Sequence, residues 1–274
     1  MTLHEDAPAK LNLALHVRLR RADGYHDLET IFAFTEFGDS LSATRADDTT
    51  LTVEGPFAPI IDTVDNLILR AASALRAASG VGNGAALHLV KRIPVAAGLG
   101  GGSADAAAAL RLLNRLWRLD WPLARLAALG AALGADVPAC VLGGMLLGEG
   151  RGEVLTPIDT MTLAGTPVLL VNPRVPMPTG PVFAGWDGHD RGRLDPAAAL
   201  HVLRNDLQIP ALAIAPIVGI VIDALERTGA TLVRMSGSGA TCLALFDTLE
   251  HRDSASVSIG LAYPDWWIAP TKLQ

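Results

Sequence analysis

The chain has 274 residues, and its 22 lysines and arginines against 28 aspartates and glutamates give a formal net charge of -6. Half of the residues are hydrophobic, which is enough to bury a core and excludes a mainly disordered chain. The acidic balance argues against nucleic acid as a partner, because proteins that bind nucleic acid usually carry excess positive charge. At this length we expect one large domain or two modest ones.

Export and membrane insertion are also disfavoured. The first six residues carry acids where a signal peptide needs a basic region. Leu207–Ile222, the longest uncharged stretch of note, has 16 residues and contains Pro210 and Pro216, so it is too short and too broken to span a bilayer. Cys140 and Cys242 lie 102 positions apart among apolar residues, which predicts buried thiols rather than a disulfide or a zinc site. We expect a cytoplasmic protein with no membrane segment.

The spacing of apolar residues predicts the elements of the first 152 residues. Strands are expected at Leu11–Arg20, Leu28–Phe37, Leu41–Thr44, Thr50–Glu54, Ala85–Val90 and Met145–Leu147, and the Gly-rich run Gly148–Gly152 suggests a connection after the last of them. Helices are expected at Asn66–Ser79, Ser103–Leu119, Leu123–Leu133 and Asp136–Leu142. Asp65 is the expected cap of the first helix, and Asp23 with Gly24 favours a turn between the first two strands.

The composition shifts after about residue 152, where a second α+β unit is predicted. Its expected elements are strands at Val168–Asn172, Thr231–Met235 and Cys242–Phe246, helices near Pro196–Arg204 and at Ala215–Thr228, and a Pro-rich loop at Pro173–Pro181. We therefore predict two domains of the α+β class, residues 1–152 and 153–274.

The strongest chemical signal is the segment Pro94–Ala104 (PVAAGLGGGSA), which lies between a strand and the Ala-rich helix. Packing is not expected to explain four glycines within Gly98–Gly102, because each one costs conformational entropy when it is ordered. Their absent side chains would let backbone N–H groups approach a ligand, and the N-terminus of the next helix favours phosphate. Ser103 would cap this helix or offer its hydroxyl to a phosphate or a magnesium ion.

Two common phosphate motifs do not match this segment. A Walker loop ends in Gly-Lys-Ser/Thr, and the segment has no lysine; a dinucleotide fingerprint needs a third glycine where Ser103 stands. A glycine-rich turn without a ligand is the alternative.

Three segments, in order along the chain, resemble the GHMP kinase superfamily, which includes galactokinase and the homoserine, mevalonate and phosphomevalonate kinases. They are Ala7–Leu13 (APAKLNL), Pro94–Ala104 and Met235–Thr241 (MSGSGAT). Within the superfamily, shorter segments resemble the kinases of 4-diphosphocytidyl-2-C-methyl-D-erythritol: Arg21–His26, Asp65–Ile68, Gly100–Gly102, Gly134–Pro138 and Pro178–Thr179.

This resemblance implies a two-domain fold with a ribosomal-protein-S5-like N-terminal half and a ferredoxin-like C-terminal half. It implies ATP- and Mg²⁺-dependent phosphorylation of the 2-hydroxyl of the methylerythritol unit, in non-mevalonate isoprenoid precursor biosynthesis. The partner would be a small molecule, a cytidine diphosphate derivative of methylerythritol. The metal ligands and the oligomeric state are left open.

The resemblance also implies two catalytic residues. Asp136 falls where the superfamily has its general base, although an aspartate between Gly134 and Pro138 is by itself an ordinary helix cap. Lys10 falls beside it in the family, where its charge would orient the carboxylate and stabilise the developing alkoxide. By itself, a lysine near the N-terminus indicates a solvated surface charge.

The remaining site residues follow from the same matched segments. The ATP-binding residues are expected to be Asn66, Pro94, Val95, Ala96, Ala97, Gly98, Leu99, Gly100, Gly101, Gly102, Ser103 and Ala104. The substrate contacts are expected to be Asn12, Tyr25, His26, Phe32, Lys91, Thr179 and Phe183.

Several of these residues have a stated role or an alternative. Tyr25, His26, Phe32 and Phe183 would recognise the cytidine, although Phe32 lies in a strand and fits the core equally well. Lys91 would act as a local cation against polyphosphate.

Two further features of the second half stay open. Gly180 departs from the family pattern, which leaves the Thr179 and Phe183 contacts open. Ser236–Thr241 would buttress the glycine loop, line the phosphate site or form a structural turn.

Three other functions remain as alternatives. A different GHMP acceptor, such as mevalonate, homoserine or a sugar, would use the same fold. A dinucleotide-dependent oxidoreductase is disfavoured by the missing third glycine, and a non-catalytic nucleotide-binding module by the presence of both Lys10 and Asp136.

Overall fold

The computed structural model describes residues 1–61, 66–158 and 163–274. It divides into two compact units whose segments interleave along the chain. The first unit comprises Met1–Lys10, Gly38–Val95 and Gly100–Gly143; the second comprises Leu11–Phe37, Ala96–Leu99 and Gly144–Gln274. The domain boundary between residues 152 and 153 stays a prediction.

Strands and helices are mixed along the chain, which confirms the α+β class. The strands are β1 (Leu3–Arg20), β2 (His26–Ala46), β3 (Thr50–Glu54), β4 (Gly84–Val90), β5 (Leu146–Gly150), β6 (Val154–Pro157), β7 (Pro167–Asn172), β8 (Leu232–Met235), β9 (Cys242–Leu245) and β10 (Trp267–Lys272). The helices are α1 (Leu67–Ser79), α2 (Gly101–Leu116), α3 (Leu123–Gly130), α4 (Val137–Leu142), α5 (Thr179–Ala184), α6 (Gln208–Ile214), α7 (Ile217–Glu226) and α8 (Leu249–Ala262).

In the first unit, β4 pairs antiparallel with the second half of β2 and parallel with β3. Helix α2 packs against α1, α3 and α4. Its alanines from Ala104 to Ala109 are buried around Asp105, because methyl side chains let the neighbouring helices approach closely. The Ala-rich sequence therefore holds α2 and its N-terminus firmly.

In the second unit, β5 pairs antiparallel with the first half of β2, and β6 pairs with β5. A separate antiparallel sheet has the strand order β10-β7-β9-β8. Strand β7 is buried along its whole length, as its apolar sequence requires. Its side chains join an aliphatic cluster with residues of α7 such as Val218 and Val221.

Two predicted strands, Leu28–Phe37 and Met145–Leu147, end just before a glycine that lies inside the observed strand. Strand β2 continues through Gly38, where a Cβ would lie 2.3 Å from the carbonyl oxygen of Ala7 on β1. Strand β5 includes Gly148, although the glycines there predicted a loop; a Cβ on Gly148 would lie 2.6 Å from Cε2 of Phe32. Each glycine makes room for a neighbour, so neither ends its strand.

The prediction of a helix near Pro196–Arg204 is wrong, since that segment holds a 3-10 turn at Leu200–Val202. Carbonyl groups of that segment accept hydrogen bonds from other parts of the chain. The N–H of Leu15 donates to the carbonyl of Arg204 at 2.8 Å, and the guanidinium of Arg234 donates to two other carbonyls of the segment. A helix would need those carbonyls for its own bonds.

The sequence analysis did not predict α5, α6, α8, β6 or β10. The buried residues of α8 are Ala255 and Ile259, so this helix lacks the apolar stripe on which prediction depends. Within the described ranges, no helix is long and apolar enough to cross a membrane.

Candidate active site

Helix α2 begins at Gly101, within the glycine-rich segment Pro94–Ala104, which we call the glycine loop. Its N-cap is Gly100, at a φ of 61°, and no side chain of the described residues caps it. Ser103 is the third helical residue, so its predicted role as N-cap is wrong. The first helical bond runs from the N–H of Ala104 to the carbonyl of Gly100 at 2.8 Å, which leaves the N–H groups of the first turn for an anion.

Neighbouring protein atoms leave little room for a side chain at Gly98 and Gly100. A Cβ on Gly98, at a φ of 76°, would lie 2.5 Å from the carbonyl oxygen of Ser236. A Cβ on Gly100 would lie 3.0 Å from Cε of Lys10. The expectation that packing does not explain these glycines is therefore wrong for Gly98 and Gly100, because other parts of the chain lie close to the backbone there.

The ammonium of Lys10 on β1 and the carboxylate of Asp136, just before α4, form an ion pair at 3.1 Å. The Lys10 side chain is 5% exposed and the Asp136 side chain 34%, so the carboxylate reaches solvent while its cation is held inside. A Cβ on Gly100 would lie 3.8 Å from Oδ2 of Asp136, so the pair borders the N-terminus of α2. The Asp136 side chain makes no capping bond with described residues of α4, so it is not an ordinary cap.

Lys91, which follows β4, is 2% exposed. Its ammonium donates to Asp39 at 2.5 Å and to Asp105 at 2.7 Å. Its Nζ atom lies beside α2, 3.0 Å from the position that a Cβ on Gly101 would occupy. We therefore correct the predicted polyphosphate contact of Lys91, because its charge is enclosed by two protein carboxylates.

Asp39 and Asp105 were missed by the sequence analysis. The Oδ1 atom of Asp39 accepts the N–H groups of Arg92 at 2.5 Å and Ile93 at 2.8 Å. Burial raises the pKa of Asp105 to about 7 against the opposing charge of Lys91, and the charge of Asp39 adds to the rise. The sequence does contain one signal: Asp105 interrupts the run of alanines from Ala104 to Ala109. An aspartate that is buried with these alanines needs a charged or hydrogen-bonding partner.

The segment Ser236–Thr241 buttresses the glycine loop, which was one of its three predicted roles. Oγ of Ser236 donates to the carbonyl of Gly98 at 3.0 Å, and the N–H of Thr241 donates to the loop carbonyl one residue earlier at 3.2 Å. The N–H of Asn12 in turn donates to Oγ of Ser236 at 3.2 Å. The first and third motifs are thus joined to the loop by hydrogen bonds.

An aromatic cluster lies in the second unit. The ring centroid of His26 lies 5.2 Å from that of Phe183 and 5.8 Å from that of Trp186. Tyr25 is 55% exposed, and the guanidinium carbon of Arg151 lies 5.0 Å from its ring centroid. The fold brings His26 and Phe183 together, and Trp186 is an addition that the sequence did not suggest.

The protonation state of His26 follows from its surroundings. Burial, together with the charge of Arg20, lowers the pKa of His26, so the ring is neutral at pH 7. Nε of Arg20 donates to Nε2 of His26 at 3.3 Å. This bond requires an unprotonated Nε2, so the ring hydrogen lies on Nδ1.

Phe32 belongs to the core. It is 1% exposed, and its ring fills the space beside Gly148 and Gly152. Its predicted substrate contact is therefore wrong, and its alternative as a core residue is right.

Asn12 and Thr179 are held by other polar side chains. The amide nitrogen of Asn12 donates to Oγ1 of Thr30 at 2.7 Å, and Asn12 is 2% exposed. Thr179 is exposed at the start of α5, where its hydroxyl lies 3.2 Å from that of Ser238. A Cβ on Gly180 would meet nothing within 4 Å, so this glycine is not required by crowding.

Asn66 is the N-cap of α1, and its Oδ1 accepts the N–H of Ile68 at 2.9 Å. Asp65, the expected cap, lies outside the described residues.

The predicted residues as a whole fall in both units. The first contains Lys10, Asn66, Lys91, Pro94, Val95, Gly100–Ala104 and Asp136; the second contains Asn12, Tyr25, His26, Phe32, Ala96–Leu99, Thr179 and Phe183.

The two cysteines are buried and free, as predicted. The described part of the chain contains no group of three or more His, Cys, Asp or Glu side chains that could hold a metal ion.

A surface pocket of about 390 Å³ between α7 and α8, lined by Arg227, His251 and Tyr263 among others, includes none of the predicted site residues.

Comparisons with known proteins agree with these motifs. The family models for the GHMP kinases N-terminal domain and C-terminal domain match residues 66–144 and 189–265. The 4-diphosphocytidyl-2-C-methyl-D-erythritol kinases of Rhizorhabdus wittichii and Novosphingobium aromaticivorans are each 52% identical to the chain. The first alignment covers 98% of this chain and 94% of the relative, and the second covers 97% and 91%.

Solved structures show the same likeness. A crystal structure of 4-(cytidine 5'-diphospho)-2C-methyl-D-erythritol kinase matches with a TM-score of 0.83 at 34% identity, covering 98% of this chain and 99% of the other. Mevalonate kinase from L. major matches with a TM-score of 0.70 at 15% identity, covering 99% and 96%. At that identity the second match shows a shared fold.

Proposed function

The chain belongs to the GHMP kinase family, and from that premise we propose that it transfers the γ-phosphoryl group of ATP to the 2-hydroxyl of 4-diphosphocytidyl-2-C-methyl-D-erythritol. The observation that carries the mechanism is the 3.1 Å pair of Lys10 and Asp136 at the N-terminus of α2. The relatives at 52% identity, which bear the name of this kinase, support the acceptor. The reaction would serve non-mevalonate isoprenoid precursor biosynthesis in the cytoplasm.

Asp136 acts as the general base. Its partly exposed carboxylate accepts the proton of the acceptor hydroxyl while that oxygen attacks the γ-phosphorus. The new P–O bond forms as the bond from the γ-phosphorus to the β,γ-bridging oxygen breaks, and ADP leaves. Lys10 holds the carboxylate and stabilises the negative charge that develops on the attacking oxygen.

The ATP phosphates bind at the N-terminus of α2. The N–H groups of Gly101, Gly102 and Ser103 and the helix dipole favour an anion there. The other residues of Pro94–Ala104 lie along the triphosphate of ATP in this proposal. Asn66, at the start of α1, lies next to the adenosine.

Magnesium enters with the nucleotide in this proposal. A Mg²⁺ ion on the ATP phosphates would neutralise the charge that develops during transfer. Such an ion is held mainly by phosphate oxygens and water, so the absence of a protein ligand cluster among the described residues is compatible with it.

The aromatic cluster recognises the cytidine. The rings of Tyr25 and Phe183 offer stacking surfaces, and the Nδ1–H of neutral His26 can donate to an acceptor on the base. Thr179, which is exposed, remains a proposed contact to the diphosphate and diol, whereas Asn12 is buried and its side chain is held by Thr30.

An acceptor panel tests this function directly. Purified protein, ATP and Mg²⁺ are combined with the cytidylated acceptor, mevalonate, homoserine or galactose, and ADP release is coupled to a spectroscopic readout. We expect turnover with the cytidylated acceptor alone, with the product phosphorylated on the tertiary oxygen by ³¹P NMR. Asp136→Asn, purified in the same way, controls for a contaminating kinase. Activity with a different acceptor would reassign the substrate, and ATP binding without turnover of any acceptor would overturn the kinase mechanism.

A further inference from the structure

The first unit contains a buried charge network that the proposed reaction does not use. It consists of Lys91, Asp39 and Asp105, whose side chains are 3%, 0% and 7% exposed. One ammonium faces two carboxylates at 2.5 and 2.7 Å. The fully ionised network therefore carries a net charge of -1 inside the protein.

The network lies directly beneath the phosphate-binding end of α2. Nζ of Lys91 is 3.0 Å from the position of a Cβ on Gly101, the first residue of the helix. Asp105 lies one turn further along the same helix. Asp39 accepts the two N–H groups just before the glycine loop, so the network ties the approach to the loop to the helix that leaves it.

The two carboxylates are not equally satisfied. Asp39 accepts hydrogen bonds on both of its oxygens. Oδ1 of Asp105 has no partner among the described residues, and the residue is 5% exposed. A buried oxygen without a donor disfavours the ionised form, so Asp105 is the member of the network that gains a proton most readily. The rise of its pKa to about 7, caused by burial and by Asp39 against the charge of Lys91, agrees with this argument.

The other groups around Asp105 do not supply a compensating charge. Cys140 on α4 stays neutral, because burial raises the pKa of its thiol to about 12. Lys10 and Asp136 neutralise each other, and Arg111, further along α2, is paired with a glutamate of β1 at 2.7 Å. The buried residues of α1 and α3 are Ala, Ile, Leu and Gly.

We propose that Asp105 is a positioning residue whose carboxyl group takes up a proton from solvent when a nucleotide polyphosphate binds, so that the network beneath the bound phosphates is neutral. The proposal rests on the proposed function in one respect, the location of the ATP phosphates at the N-terminus of α2. A negative network there repels the phosphates across a low-dielectric interior, and protonation of Asp105 removes the repulsion while Lys91 keeps both ends of the loop in place. The proton returns to solvent when the nucleotide leaves.

Proton uptake can be counted by calorimetry. The non-hydrolysable analogue AMP-PNP with Mg²⁺ is titrated into the protein near pH 7.5, in two buffers of different ionisation enthalpy. Asp105→Asn keeps an oxygen that can accept from Lys91 but cannot titrate. We expect wild type to take up more protons per nucleotide than Asp105→Asn, since the titration of the nucleotide itself is common to both. Asp47→Asn, which removes an exposed carboxylate between β2 and β3, is the matched control and should behave as wild type.

Kinetics give a second readout. Between pH 6.5 and 8.5, we expect the ratio of the KM for ATP of wild type to that of Asp105→Asn to rise by up to roughly 20-fold, because uptake of one proton becomes about tenfold less favourable for each pH unit above the pKa of Asp105, which is about 7. A merely structural role of Asp105 would shift both values by the same factor at every pH.

Each result decides a separate claim. Equal proton uptake by wild type and Asp105→Asn, with nucleotide bound by both, overturns the inference and leaves the proposed function standing. Failure of wild type to bind nucleotide overturns the proposed function. If Asp105→Asn does not fold, the Asp136→Asn variant decides: proton uptake should persist in it, and its loss would assign the proton to Asp136 and overturn the role of Asp105.

Discussion

The carboxylate of Asp136 lies 3.1 Å from the ammonium of Lys10, although the two residues are far apart in the sequence. The lysine is almost enclosed, while a third of the aspartate side chain is exposed. Because a hydroxyl can reach the carboxylate more easily than the cation, the geometry suits a base held in place by a lysine. Two predictions separate these roles.

Asp136→Asn should lower kcat by about 10²- to 10⁴-fold, because the amide cannot accept the hydroxyl proton. The KM for ATP should change little, since the phosphates are proposed to bind the N–H groups of α2. Steady-state kinetics with the cytidylated acceptor measure both constants. A kcat close to wild type would exclude Asp136 as the base.

Lys10→Met should also lower kcat more than it changes the KM for ATP, because it removes the charge that we propose stabilises the attacking oxygen. Methionine keeps the length of the side chain beside Gly100, so the loop should retain its backbone. A rise in the KM for the acceptor at constant kcat would assign Lys10 to substrate binding instead.

Phe183→Ala should raise the KM for the cytidylated acceptor by roughly tenfold to a hundredfold, the usual loss when an aromatic stacking partner of a base is removed. The KM for ATP should stay within about twofold, which serves as the internal control. Equal changes in both constants would indicate a general loss of structure, and no change in either would remove Phe183 from the cytidine site.

Gly98→Ala should lower the free energy of unfolding by about 2 kcal/mol or more, because it adds both a left-handed alanine and a Cβ 2.5 Å from the carbonyl oxygen of Ser236. Gly180→Ala is the control, since its Cβ would meet nothing within 4 Å and alanine favours the helix by about 0.5–1 kcal/mol. Urea denaturation compares the two variants. Similar stabilities would show that the loop relaxes away from Ser236.

The pKa of Asp105 makes stability depend on pH. Burial raises this pKa from 3.8 to about 7 in the folded chain, so the folded state holds a proton that the unfolded state has lost between these values. The stabilisation of the folded state by this proton on Asp105 is therefore fully present below about pH 4 and is lost as the pH rises to about 7. Urea denaturation should show that the free energy of unfolding falls more between pH 5.5 and pH 8 in wild type than in Asp105→Asn. Identical decreases in the two proteins would contradict the raised pKa of Asp105.

Local sequence patterns were sufficient for the elements whose signals are local. Asn66–Ser79 predicted α1 to within one residue, because the spacing of its apolar residues is a local property of the segment. The observed N-cap is Asn66, and the helix ends at left-handed Gly80. The GHMP kinase fold is confirmed, since three short motifs in order are enough to identify it. The pattern failed at Gly38 and Gly148, where a distant backbone or ring sets the need for glycine.

The sequence by itself determined the family and the order of its motifs, because these depend on residue types at fixed spacing. Lys10 and Asp136 became catalytic candidates through that resemblance. The tertiary structure decided what each side chain contacts. Lys91 stands where a phosphate cation was expected, yet the fold encloses it between Asp39 and Asp105, and Phe32 fills the core rather than facing a base. Spacing along the chain does not specify which distant carboxylate or cavity a side chain will contact. A buried charge must nevertheless find such a partner, because an unpaired charge inside a protein is costly in free energy.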